Sequence, residues 1–263
     1  MELPLADEQP VVLSINSHDP SGGAGSVADI ETVASLGGHC VSAITALNVR
    51  DTRSLKDRLH TDATLLIEQS RAALEDCNVR AIKVGDLASV AQLEAVHTIL
   101  VQYRDIPVVL DPVLLHDDDG EISRALNSLL LPVATLSILS LDHVARLGGR
   151  GDTLQASLAA LFELGVEQLL VTDLTPQAPH CVNALYNRHG NGRDYEWPRL
   201  PHAFHGAGST LSAALATYLG HGFDLLEAIQ QAQQFTWQAL NGARALGGGA
   251  LIPDRFFWAR DSQ

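Results

Sequence analysis

Residues 10–36 read PVVLSINSHDPSGGAGSVADIETVASL, and the fold is decided there. The apolar run at 10–17 has the length and β-branched content of a buried strand, and a helix is expected to end near Leu36. Between them lies the glycine-rich loop 18–25, HDPSGGAG. Glycines at a strand-to-helix junction permit positive φ and close backbone approach, and the helix start offers unpaired N–H groups. At the carboxyl edge of a parallel sheet such a junction can seat a polar ligand. It can equally be a plain turn. The loop matches neither GxxxxGK[ST] nor GxGxxG, so neither a P-loop nor a dinucleotide fingerprint is supported.

Working outward, short apolar runs keep alternating with amphipathic stretches. Strands are expected at 40–49, 81–87, 108–115, 136–141 and 168–174, and helices at 62–75, 89–103, 123–131 and 153–164. Strands separated by helices of about 10–15 residues imply βαβ crossovers and a mostly parallel sheet covered by helices on both faces. The alternation then breaks. Residues 181–188 and 193–200, joined by His189-Gly190-Asn191-Gly192, read as a late antiparallel hairpin. Helices at 209–219 and 225–244 follow, and Gly247-Gly248-Gly249 opens an irregular tail. No linker, composition shift or repeat divides the chain, so one α/β domain spanning 1–263 is expected.

Bulk properties exclude several function classes. With 263 residues, 46% of them hydrophobic, the chain can bury a sizeable core. No apolar run approaches the roughly 20 residues needed to cross a bilayer. The first ten residues carry Glu2, Asp7 and Glu8 and no basic residue, unlike a signal peptide. Cys40, Cys77 and Cys181 are scattered with no CxxC spacing, which fits a reducing cytoplasm better than a disulfide framework. The formal charge is -14, and Lys56 and Lys83 are the only lysines. Such a surface repels nucleic acid and anionic membrane, so neither is an expected partner. Eleven histidines show no HExxH or zinc-type spacing.

A second glycine turn, His205-Gly206-Ala207-Gly208-Ser209-Thr210, opens the helix at 209–219. Small residues at a helix N-terminus let successive N–H groups converge on an anion, and the helix dipole adds to the attraction. Phosphoryl transfer needs such a niche for the charge on the migrating group. Ser209 could also simply cap the helix.

Together, HDPSGGAGSVADIETVASLGGH (18–39), SAITALNVRDT (42–52), IKVG (82–85), VLDPV (109–113) and GAGSTLSAA (206–214) resemble the hydroxymethylpyrimidine/phosphomethylpyrimidine kinases of thiamine synthesis, which are ribokinase-like. The resemblance implies a homodimer that moves the γ-phosphate of ATP, with Mg²⁺, onto a small-molecule pyrimidine: first the hydroxymethyl compound, then its monophosphate. It assigns Asn16, Asp29, Arg50, Asp86 and Val113 to the substrate and Gly206, Ala207, Gly208 and Ser209 to the anion hole. Asp111 is assigned to Mg²⁺, and Ser140, Thr172 and Asp173 to the nucleotide. Ser209 stands where the family's catalytic cysteine lies.

The departures from the family pattern are equally specific. Arg50 replaces a ring-reading glutamine, Asp86 a methionine and Asn16 a glycine. Arginine offers donors only, so the ring would meet a different hydrogen-bond pattern, or Arg50 could pair with Asp86 and narrow the pocket. Ser140 and His143 replace the Asn and Glu of an NxxE segment, residues 172–175 replace KGGH, and the acidic run Asp117–Asp119 replaces a lysine-bearing loop. These changes leave two alternatives open: a non-catalytic paralogue with a binding or regulatory role, or a kinase for a different small ring alcohol.

Overall fold

The strand and helix expected at the start are β1, Val11–His18, and α1, Gly25–Ser35, in a computed structural model that describes residues 9–114, 120–149 and 153–259. The elements then run β2 (His39–Arg50), β3 (Leu55–His60), α2 (Ala63–Asp76), β4 (Val79–Val84), α3 (Val90–Gln102), β5 (Val108–Leu110), α4 (Glu121–Ala125), β6 (Leu136–Ser140), α5 (Leu141–Leu147), α6 (Leu154–Glu163), β7 (Gln168–Thr172), β8 (His180–Asn187), β9 (Gly190–Pro198), α7 (Ala207–Gly220) and α8 (Leu225–Asn241). The nine strands form a single sheet in the order β3-β2-β1-β4-β5-β6-β7-β8-β9. From β2 to β7 every pairing is parallel, while β3 closes one edge and β8–β9 the other antiparallel. This is the ribokinase-like α/β arrangement that the sequence implied.

Period-two alternation explains why both faces are covered. In β1, Leu13 and Ile15 enter one apolar cluster with Leu66 of α2, Leu93 and Ile99 of α3, and Leu161 of α6. Val12, just before them, enters the other, with Val33 of α1, Leu215 of α7 and Phe235 of α8. The same split separates Ile82 from Ala81 and Leu110 from Val109. Each buried Leu or Ile contributes about 1.5–3 kcal/mol, so helices are held on both sides by strands that carry apolar side chains on both faces.

Chain order reverses at β1, with β2 on one side and β4 on the other. A crevice opens outside the carboxyl ends of strands at such a switch point. Two elements, β3 and α5, lay outside the expectations, and two expectations need correction. β3 (LKDRLH) carries three consecutive charges, Lys56, Asp57 and Arg58, and lacks an apolar face, so its sequence does not read as a strand. It exists because β2 supplies an antiparallel partner from Ala46 to Arg50. α5 is only two turns long, with Ser140 as its cap. The helix expected at 123–131 is α4 followed by a π-helical turn and a 3-10 turn, with Pro132 preventing its continuation. β5 stops at Leu110, and the part of the expected strand at 115 lies outside the described residues, as does the acidic run Asp117–Asp119.

Candidate active site

Asp19 organises the first glycine loop. Its Oδ1 accepts from the Ser21 N–H (2.9 Å) and Ser21 Oγ (2.7 Å), and its Oδ2 accepts from the Ala24 N–H at 3.1 Å. His205 Nε2 lies 2.6 Å from the same Oδ2. Burial alone would raise the carboxyl, but hydrogen bonds from His205 and Ser21, together with the Arg50 charge, hold it at about 2. Gly25 has φ +65, and a Cβ there would lie 2.2 Å from the Ser17 carbonyl oxygen, so the turn into α1 requires glycine.

The second glycine turn docks against the first, backbone to backbone. Gly206 caps α7 with φ +99, and a methyl on it would fall 1.7 Å from the Gly23 carbonyl oxygen. The first N–H groups of a helix have no intrahelical partner, and the first turn of α7 carries no acidic residue. Ala207, Gly208 and half-buried Ser209 therefore form an anion-accepting niche. Asp111 lies beside it. Ser212 Oγ donates to Asp111 Oδ2 at 2.9 Å, and a methyl on Gly208 would stand 3.4 Å from that oxygen. Desolvation raises the Asp111 carboxyl, opposed by the Lys83 charge and the Ser212 hydrogen bond. His143 faces this carboxylate, but its own burial, the larger effect, holds its pKa below the usual histidine value.

On the ring side, Asp29 is wholly buried. It accepts from Ser14 Oγ (2.6 Å), Asn16 Nδ2 (2.9 Å) and Lys83 Nζ (3.0 Å). Asn16 Oδ1 in turn accepts from the backbone N–H groups of Ser17 and Asp86, so both ends of its amide are engaged within the protein. Arg50 does not pair with Asp86. Its Nη1 points to Asp19 at 3.7 Å and its Nε to the Asp51 carbonyl, because Arg50 ends β2 on the side of the first loop. Asp86 pairs instead with Arg58 of β3. Arg58 and Asp86 line a cavity of about 40 Å³ with His60, Leu87 and half-exposed Val113. Near it, Arg58 Nε and Asn48 Oδ1, facing positions of β3 and β2, are buried without a hydrogen-bond partner.

Against the N-terminal end of α7, a cavity of about 310 Å³ is lined by Trp197, Phe204, Ala207, Leu211, Trp237 and Asp173, among others. Trp197 and Trp237 wall this opening. Asp173 has left-handed backbone (φ 53) and is clamped by Arg199, whose Nη2 and Nη1 lie 2.6 and 3.2 Å from its two oxygens. Ser140 and Thr172 are register partners at the ends of β6 and β7, and Ser140 Oγ accepts from the His143 N–H. Neither sits among the residues lining the cavity. Burial pushes the Cys40 thiol to about 12 and Cys181 to about 11, so both stay protonated at neutral pH.

The sequence reading thus missed Arg58, Lys83, Asn48, the Asp19–His205 contact and Arg255. Only the placement of His205 beside one glycine turn and of Asp19 within the other was a usable signal.

The model of the family described as phosphomethylpyrimidine kinase matches residues 19–253, which include both glycine loops and Asp111. The chain belongs to the phosphomethylpyrimidine kinase family. A Streptomyces coelicolor protein named hydroxymethylpyrimidine/phosphomethylpyrimidine kinase is 32% identical over 263 residues, 95% of each chain. One from Mycobacterium bovis with the same name is 34% identical over 266 residues, covering 94% of this chain and 95% of the relative. Among solved structures, pyridoxal kinase from Bacillus subtilis, in an ADP complex, superposes with a TM-score of 0.87 over 95% of this chain and 99% of its own. At 24% identity that likeness speaks for the fold.

Proposed function

We propose that this protein transfers the γ-phosphate of ATP to hydroxymethylpyrimidine, to its monophosphate, or to both, in thiamine biosynthesis. One observation carries the reading: the α7 N-terminus, with Asp111 beside it, borders an apolar-lined cavity large enough to take part of a nucleotide, and Val113 and Leu114, just after Asp111 in the chain, line a second one. ATP would place its base against Trp197 and Trp237 and its phosphates at Gly206–Ser209. Backbone N–H groups there stabilise charge developing on the migrating group without reorganising. Asp173 is neutralised by Arg199, so the cavity wall presents no uncompensated carboxylate at that point.

The site also fits Mg²⁺. This ion commonly takes one or two carboxylates and completes its shell with waters and substrate phosphates. Asp111 supplies such a carboxylate, and no cluster of three potential ligands occurs among the described residues. When bound, Mg²⁺ neutralises charge on the terminal phosphates. Asp29, held by Lys83, fixes the floor of the acceptor site, while Arg50, Asp86 and Val113 border it. Ser209 stands at the transfer point but, as an alcohol, needs a neighbouring base to act as one.

A homodimer is proposed from the β2–β3 ribbon, which exposes Leu47, Val49 and Leu59, with Leu47 and Leu59 facing each other across the ladder. A cytoplasmic setting is proposed from the three unpaired cysteines. No helix among the described residues is long and apolar enough to cross a membrane.

A second reading, a kinase for another small ring alcohol, draws on the charged Arg58–Asp86 wall. Coupled ADP-release assays with hydroxymethylpyrimidine, pyridoxal and a ribonucleoside separate the two. Turnover with the pyrimidine alone is expected. Turnover with pyridoxal alone would move the assignment to the second reading. No turnover on any of them, together with no Mg-ATP binding by calorimetry, would remove the kinase reading.

A further inference from the structure

We infer that Arg255, in the tail after α8, is the cation that charges and positions the phosphate niche. The inference rests on the phosphotransfer reading and goes beyond it, because no lysine is left to do this. Lys56 is exposed and paired with Asp51, and Lys83 is committed to Asp29.

Arg255 is 1% exposed, a rare location for a guanidinium. Its Nε donates to Thr210 Oγ1 in the first turn of α7 at 3.1 Å. Its Nη1 donates to the Gly22 carbonyl at 3.0 Å and to Glu31 Oε2 at 2.8 Å, and its Nη2 to the Gly23 carbonyl at 2.5 Å. A methyl on Gly206 would stand 3.0 Å from Nη2, so the charge lies directly behind the turn that opens the niche. Two consequences follow. The carbonyl oxygens of Gly22 and Gly23, which would repel an anion, are drawn onto the guanidinium. A full positive charge in a poorly solvated position also adds to the partial charge of the helix terminus. The carboxylates that bear on Arg255 are Glu31, Asp29 and Asp19. Asp29 is answered by Lys83, and Asp19 by His205 and Arg50. Glu31 is 42% exposed and outside the catalytic site.

That arrangement separates an electrostatic role from a mere brace. Removing the Glu31 charge leaves the Arg255 charge less compensated, so anion affinity should rise. A brace that lost Glu31 would only loosen.

The test is calorimetry with pyrophosphate, at low and high salt, alongside ADP release. It is run on the full chain and on Arg255→Lys, Arg255→Met and Glu31→Gln. Arg255→Met should weaken pyrophosphate binding by about tenfold or more and lower kcat, with the KM of the ring alcohol nearly unchanged and Arg255→Lys in between. Glu31→Gln should tighten pyrophosphate binding by about two- to threefold at low salt, a gain that disappears near about 0.5 M salt. Weaker binding in Glu31→Gln would overturn the inference, as would wild-type affinity in Arg255→Met or an unmodified protein that binds no pyrophosphate. Should Arg255→Met not fold, the sign of the Glu31→Gln effect decides. Arg255-dependent pyrophosphate binding without ADP release would uphold the inference and remove the kinase reading instead.

Discussion

His205 Nε2 and Asp19 Oδ2 lie 2.6 Å apart and join two glycine turns separated by 186 positions in the chain. An ionised carboxylate accepts only, so the ring nitrogen carries the proton between them. Because Asp19 sits at about 2 when folded against 3.8 ordinarily, its ionisation stabilises the fold by about 2 kcal/mol at neutral pH. The folded value is the lower one. That stability is therefore fully present above about pH 4 and is lost as pH falls towards 2. Asp19→Asn should be less stable than the unmodified protein by about this amount at pH 7, with the gap closing in denaturant titrations as pH is lowered through that window. A gap independent of pH would show that the carboxylate charge is not what joins the turns.

A buried ion pair joins Lys83 to Asp29, each side chain 1% exposed. Removing one member strands the other charge, which costs about 3–5 kcal/mol. Lys83→Met should therefore be severely destabilised, while Lys83→Met combined with Asp29→Leu should recover most of the loss. Urea unfolding of the two single variants and the double variant measures the coupling. Simple additivity would mean that the two charges do not depend on each other.

Gly206 and Gly208 stand two residues apart and should fail differently. At Gly206 both the positive φ and the Gly23 carbonyl forbid a side chain, so Gly206→Ala should destabilise the protein and disable it together. At Gly208 a methyl makes ordinary contact with Asp111, so Gly208→Ala should keep its Tm yet lose turnover, since the methyl stands between the niche and the carboxylate. Asp111→Asn should also lose turnover, by about a hundredfold or more, without loss of Tm. Its carboxyl is raised by burial, so the ionised form opposes folding above its folded pKa, and the opposition fades as pH falls. Thermal melts beside ADP-release rates check all three. A lowered Tm in Gly208→Ala would place that glycine in the fold and not in the chemistry.

The parallel core was legible because its strands are apolar at consecutive positions and its helices amphipathic. The two glycine loops were legible because few side chains fit there. What stayed hidden depends on contacts between distant segments. β3 has no apolar periodicity of its own, so Arg58 could not be recognised as the partner of Asp86, and Arg50, which the family resemblance sets at the same pocket, was offered in its place. Arg255 lies in a tail that reads as irregular, and its partners are 45 to 233 residues away. Matching charges by motif position fails where strand pairing sets the neighbours.

Ser209 offers a test of how far backbone charge stabilisation can act alone. It lies in the first turn of α7, where the helix terminus favours a negative charge. A cysteine there would have its thiol pKa drawn below the usual 8.5 or so, making it partly ionised at neutral pH, whereas the serine hydroxyl stays protonated. General-base help is worth about 10²–10⁴-fold, so Ser209→Cys should raise kcat by at least about tenfold near pH 8. Its rate should also climb with pH below the thiol pKa, a limb the unmodified protein lacks. The pH profile of ADP release with hydroxymethylpyrimidine is the measurement. Equal rates and superimposable profiles would mean that position 209 contributes only its backbone N–H, and that the acceptor hydroxyl loses its proton elsewhere.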